Sequence, residues 1–134
     1  MLPPHPWRRL RALTNWTLRF AVLPTGTLGL TDHHARTITL AAGMGQAERR
    51  CTLAHELEHV AGHQREDVCD RNAARSLLPD LHRIGEALAW AHHITEAADE
   101  LFVDVPTLRV RLECLHPAER HYLRRRLEQG DTRP

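Results

Sequence analysis

The chain has 134 residues, 42% of them hydrophobic and 26% charged, with a formal net charge of +1. That length supports one domain with its own core, and the near-zero charge excludes a protein built mainly to coat nucleic acid or an anionic membrane. All 18 basic residues are arginines, and the three scattered cysteines (Cys51, Cys69, Cys114) make no disulfide framework, which favours a reducing, cytoplasmic setting. No apolar run approaches ~18 residues and no signal-peptide h-region follows the N-terminus, so no membrane association is expected.

In chain order, residues 7–13 read as a short helix with Trp7, Leu10 and Leu13 on one side. Residues 17–23 alternate, with Leu18, Phe20 and Val22 sharing a face, and read as a strand ended by the turn signal Pro24-Thr25-Gly26. Residues 28–31 and 36–40 are further strand candidates, Ile38 and Leu40 lying on one face. A small antiparallel sheet is therefore expected in the first third. From 46 to 61 the apolar residues Leu53, Ala54, Leu57, Val60 and Ala61 take helical spacing, and Gly62 is a good terminator. A second helix is expected over 65–78, stopped by Pro79. Further helices are expected at 80–91, 95–102, 106–114 and 117–128, with Asp104 as a cap and Pro117 in a first turn. The fold class is α+β: a small sheet packed on the 46–61 helix, then a helical, helix-turn-helix-like part. Residues 1–79 form the core and 80–134 the helical subdomain, together one unit.

The 46–61 helix carries His55-Glu56-Leu57-Glu58-His59, an H-E-x-x-H motif. Residues four apart on a helix lie about 5–6 Å from each other, so both imidazoles can direct a nitrogen to one Zn²⁺. Glu56 sits beside them as a general base, since zinc lowers the pKa of water toward ~7 and a carboxylate can take the proton. Catalytic zinc normally takes three protein ligands. Downstream candidates for the third are His63, Glu66, Asp67, Cys69 and Asp70. A ligand one further turn along a straight helix converges poorly, which disfavours His63. Glu66, opening the next helix, is preferred, with Asp70 as the alternative.

These residues resemble the ImmA/IrrE family of metallo-endopeptidases, compact bacterial or phage zincins. The resemblance is carried by Glu48 to His59, by Glu66 and Asp70, and by Ala73-Ala74-Arg75-Ser76-Leu77-Leu78-Pro79. It implies zinc held by His55, His59 and Glu66, with Glu56 as the catalytic carboxylate. It further implies a protein substrate, a helix-turn-helix repressor encoded nearby that controls a phage or mobile element. The His59–Glu66 spacing is shorter than usual for the family, and Glu58 stands where a small or apolar residue is common. From the residues alone, the rival is a regulatory protein- or DNA-binding module whose zinc site is structural or vestigial. Residues 95–112 have the rhythm of a helix-turn-helix, with Arg109 and Arg111 as candidate phosphate contacts, but the usual turn glycine is replaced near Phe102. Core packing is the preferred reading of that segment. An edge strand at 36–40 would receive an extended substrate.

Overall fold

Three short strands and seven helices follow one another among the residues, 5–130, that the computed structural model describes. They are α1 (Pro6–Arg11), β1 (Thr17–Ala21), β2 (Gly29–Asp32), β3 (Thr37–Ala41), α2 (Gln46–Val60), α3 (Glu66–Leu77), α4 (Leu81–Trp90), α5 (Ile94–Glu100), α6 (Val105–Glu113) and α7 (Pro117–Glu128). The α+β class is borne out, and each expected element forms within a few residues of its expected bounds.

The sheet itself differs from the expectation: it is mixed, not antiparallel. Its order is β1-β3-β2, with β2 and β3 antiparallel but β1 and β3 parallel, Thr17 lying opposite Thr37. After β1 the chain crosses to the far side of the place β3 will take, so the β2–β3 hairpin returns β3 alongside β1 in the same direction. The 36–40 segment is thus the central strand, both edges paired, and not the open edge. The open edges belong to β1 and β2, and it is β2 that lies against α2. Being central, β3 buries Ile38 and Leu40 completely. They pack on Leu53 and Leu57 of α2, and Trp7, Leu10 and Leu13 close the cluster as their shared side predicts. On β1, Leu18 joins that cluster, whereas Phe20 is half exposed and Val22 lies beyond the strand in solvent.

On its other side α2 meets a second, larger core. Cys51 and Ala54 join Ala73 and Leu77 of α3, Ile84 and Ala87 of α4, Ala97 and Ala98 of α5, Leu108 of α6 and Leu123 of α7. The motif helix is therefore sandwiched and buries residues on nearly every side, Arg50 and Glu58 included. Such burial holds its backbone rigid, which a precise site requires.

The ends of α2 and α5 share one geometry. In each, the second residue after the cap returns its N–H to the carbonyl five back, His63 to Glu58 (3.1 Å) and Val103 to Ala98 (3.1 Å). The residue before it bonds three back, Gly62 to His59 (3.0 Å) and Phe102 to Asp99 (3.1 Å). Both are Schellman turns, which require a left-handed residue. Gly62 (φ 107°) meets that requirement freely, while Phe102 (φ 58°) meets it against its side-chain sterics. The buried Arg50 secures the second turn by donating from Nη1 to the Phe102 carbonyl at 2.6 Å. Farther on, Asp80 and Asp104 cap α4 and α6 through their side chains. Arg111, fully buried, donates to the Leu78 carbonyl (2.8 Å) and to Glu119 (2.9 Å), tying α6 to the α3–α4 junction and to α7. Among the described residues no helix is long and apolar enough to cross a membrane.

Candidate metal centre

Four-residue spacing on α2 brings the His55 and His59 rings to 5.0 Å between centroids, 68° apart in plane. The Gly62 turn then folds α3 back beside α2, and the first residue of α3 is Glu66. Its carboxylate spans the two rings: Oε2 lies 2.8 Å from His55 Nε2 and Oε1 lies 2.9 Å from His59 Nε2. One turn along α3, Asp70 places Oδ1 2.7 Å from His55 Nδ1. On the other ring, the His63 backbone carbonyl lies 2.9 Å from His59 Nδ1.

Counting donors exposes the character of this cluster. Both nitrogens of both rings face oxygen acceptors, yet a neutral imidazole owns a single N–H. With Nδ1–H donated to Asp70 and to the His63 carbonyl, each Nε2 presents a lone pair toward an acidic side chain. Four acceptors against two N–H groups leave a deficit of positive charge between the Nε2 atoms and Glu66. A divalent cation there removes the deficit, and two imidazole nitrogens with one carboxylate are a common donor set for catalytic zinc. The residues fit the ion. Anchoring each ring through its other nitrogen is the outer-shell arrangement that metal-binding histidines generally show.

Glu56 is turned to the sheet side of α2 and is 5% exposed. Its Oε1 accepts from the Thr31 hydroxyl of β2 at 2.9 Å, and its Oε2 lies 3.9 Å from His55 Nε2. Strand β2 can approach so closely because residue 29 is glycine: a Cβ there would stand 2.9 Å from Thr52 Cγ2 and 3.0 Å from Glu56 Cγ. Two cavities flank the Glu56–Glu66 pair. One of ≈ 590 Å³ runs past Leu30, Thr31, His33 and His59. The other, of ≈ 440 Å³, runs past Leu28, Asp70, Asp104 and Val110.

Of the candidates for a third ligand, Glu66 faces both Nε2 atoms and Asp70 sits behind His55. The ligating atoms of Cys69, His55 and His59 also fall within 4.8 Å of one another. Cys69 approaches on the opposite face, however, its Sγ 3.7 Å from His59 Nδ1 and 3.6 Å from the His63 carbonyl. Burial pushes its thiol up to about 11, and the nearby carboxylates add to the shift. Asp67 is taken up by Arg65 at 2.7 Å. Glu58 turns away from the metal side to meet Arg9 of α1 at 3.1 Å. The His63 side chain is 45% exposed, and its backbone carbonyl makes the contact with His59. Of the two arginines considered for phosphate, Arg109 is exposed and Arg111 is buried against Leu78 and Glu119. Sequence reasoning did not single out Thr31 or Gly29. An alternation of Gly and Thr in a strand preceding an H-E-x-x-H helix was the only available signal.

Residues 17–97, more than half of the chain, match the family model Peptidase_M78, the IrrE N-terminal-like domain. The chain belongs to this family. The match begins at the first residue of β1 and ends within α5, so it encloses the sheet, both flanks of the metal-facing cluster and Glu56. Membership makes the protein a metal-dependent peptidase by type, with a polypeptide as substrate. The ImmA/IrrE resemblance seen in the motif residues is borne out by the same match. No curated protein sequence matches the chain.

Proposed function

We propose that this M78 peptidase is a zinc-dependent endopeptidase in which His55, His59 and Glu66 hold the ion and Glu56 is the general base. The supporting observation is the convergence of both Nε2 atoms on one carboxylate while both Nδ1 atoms are already engaged. Bound there, Zn²⁺ would supply Lewis acidity toward a peptide carbonyl and would make water acidic enough to be deprotonated near neutral pH. Glu56 would take a proton from the attacking water and return it to the departing amine, a transfer its position beside His55 allows. Asp70 and the His63 carbonyl keep the two rings in the tautomer with a free Nε2.

The substrate chain lies extended along the free edge of β2, where unpaired backbone groups of Gly29–Asp32 accept an additional strand next to Glu56. Carboxylates of Glu48, Glu56, Glu66, Asp70 and Asp104 line the ≈ 440 Å³ cavity, with no arginine among its walls. Such a wall is complementary to a cationic segment. DNA-binding proteins are rich in such segments, and this supports a helix-turn-helix repressor, encoded nearby by a phage or mobile element, as the substrate. Burial of Arg111 weighs against DNA binding by the chain itself. The setting is cytoplasmic. Residues 1–79 carry the catalytic part and residues 80–134 the helical subdomain that supports it.

Elemental analysis of the purified protein, beside His59→Ala and Glu66→Ala, tests the ion; near-stoichiometric zinc is expected in the wild type and little in either variant. Incubation with the neighbouring repressor tests the chemistry. Glu56→Gln is expected to retain zinc and lose cleavage, and full-rate cleavage by that variant would remove Glu56 from the mechanism.

A further inference from the structure

Glu56 is a nearly buried carboxylate whose side chain is contacted from outside its own helix by β2. Two independent features of that strand act on it. The Thr31 hydroxyl donates to Oε1 at 2.9 Å and also lies 3.3 Å from the Glu56 backbone carbonyl. Gly29, two residues earlier and on the same face of the strand, lets the β2 backbone lie against Glu56 Cγ and Cδ. A glutamate has three rotatable side-chain bonds, so without such contacts its carboxylate samples several positions. Steric confinement at Gly29 fixes the stem, and the Thr31 bond fixes the rotation of the carboxylate about its last bond. With Oε1 engaged, the carboxylate presents Oε2 toward His55.

Resting on the assignment of Glu56 as the base, we infer that Thr31 is a positioning residue for the reaction, holding Glu56 so that Oε2 alone faces the water to be deprotonated. The Thr31 side chain touches neither ion nor substrate in this role. Its hydroxyl acts through Glu56 alone. Misplacing a reacting group by about 1 Å can cost about 10²-fold in rate, so the expected consequence of losing the hydroxyl is a fall in turnover with metal binding intact. A purely structural hydrogen bond would instead register in melting temperature, and a substrate contact would register in KM.

The experiment compares wild type, Thr31→Val, Thr31→Ser and Glu56→Gln, all loaded with zinc and checked for metal content and melting temperature. A random decapeptide library read by mass spectrometry serves to find a cleaved peptide, on which kcat and KM are then measured. Support consists of a drop of about 10–100-fold in kcat for Thr31→Val, with KM, zinc content and melting temperature near wild type, and of recovery to within about threefold in Thr31→Ser, which keeps the hydroxyl. If Thr31→Val turns over at the wild-type rate while Glu56→Gln is inactive, the inference falls and the role of Glu56 stands. If Glu56→Gln is itself fully active, the underlying assignment fails and this inference with it. Crystal structures of zinc-loaded wild type and Thr31→Val decide the matter without any cleavable peptide: an unmoved Glu56 carboxylate in the variant overturns the inference, and a rotated one supports it.

Discussion

Asp70 and Glu66 both offer a carboxylate to His55, and the geometry separates their roles sharply enough to test. Glu66 reaches both Nε2 atoms, whereas Asp70 touches only His55 Nδ1, at 2.7 Å. Removing Asp70 as Asp70→Asn leaves an acceptor in place but deletes the charge that raises the ring's basicity. Outer-shell partners of metal-binding histidines are worth about 10–100-fold in affinity, or about 1.4–2.7 kcal/mol. The Asp70 side chain is 52% exposed, so solvent screening places the effect at the low end, about tenfold. Glu66→Gln exchanges the proposed charged ligand of the ion for a weaker neutral one, and its loss is expected to exceed that of Asp70→Asn by at least about tenfold. Zinc affinity measured by competition with a chromophoric chelator at fixed pH ranks the two. An affinity loss in Asp70→Asn equal to or greater than that in Glu66→Gln would refute the assignment and make Asp70 the third ligand.

Other outcomes follow from features away from the ion. Arg111 and the His116 backbone N–H hold the Glu119 carboxyl down to about 2 from its ordinary 4.5, so its folded pKa lies below its unfolded one. The stability this carboxylate contributes is fully present above about pH 5 and is lost as pH falls toward 2. Glu119→Gln should therefore cost up to about 3 kcal/mol at pH 7 in denaturant titration and flatten the acid limb; identical acid limbs would contradict this. Phe102→Gly removes a side chain from a left-handed position and is expected to raise stability by about 0.5–1 kcal/mol, read as a higher urea midpoint. A lower midpoint would mean that the ring's partial burial outweighs the backbone strain. Gly29→Val drives methyl groups into Thr52 and Glu56, with an expected cost of about 1–3 kcal/mol in stability, while zinc content stays near wild type because no ligand is touched.

Much of this architecture is legible in the sequence because it depends on local chemistry. The spacing of His55 and His59, the stop at Gly62 and the cap at Asp104 are all short-range signals, and each element they bound is present. Strand pairing is not local. Alternation marks residues 17–23 and 36–40 as strands, but nothing in it says that β1 will lie parallel to β3 or that β3 will be central. Phe102 hid a left-handed turn because a bulky residue stands where the chemistry calls for glycine. Two acidic residues four apart on α3, Glu66 and Asp70, look alike on paper. Only the turn at Gly62 determines which one meets both Nε2 atoms and which one meets Nδ1 of a single ring. The buried arginines 50 and 111 were equally opaque, since their partners are carbonyls and a glutamate from distant helices.

The bond from Asp70 to His55 closes over 15 residues, while the bond from Thr31 to Glu56 spans 25 and crosses from sheet to helix. The proposed ion-holding cluster is thus a property of one helical hairpin, a unit of low contact order that can assemble early in folding. The Glu56 carboxylate, the proposed base, acquires its orientation only once the strands dock. On the proposed assignment, zinc uptake and proteolytic competence are therefore separate milestones as the polypeptide matures, and a stopped-flow refolding experiment that follows both should see metal capture come first.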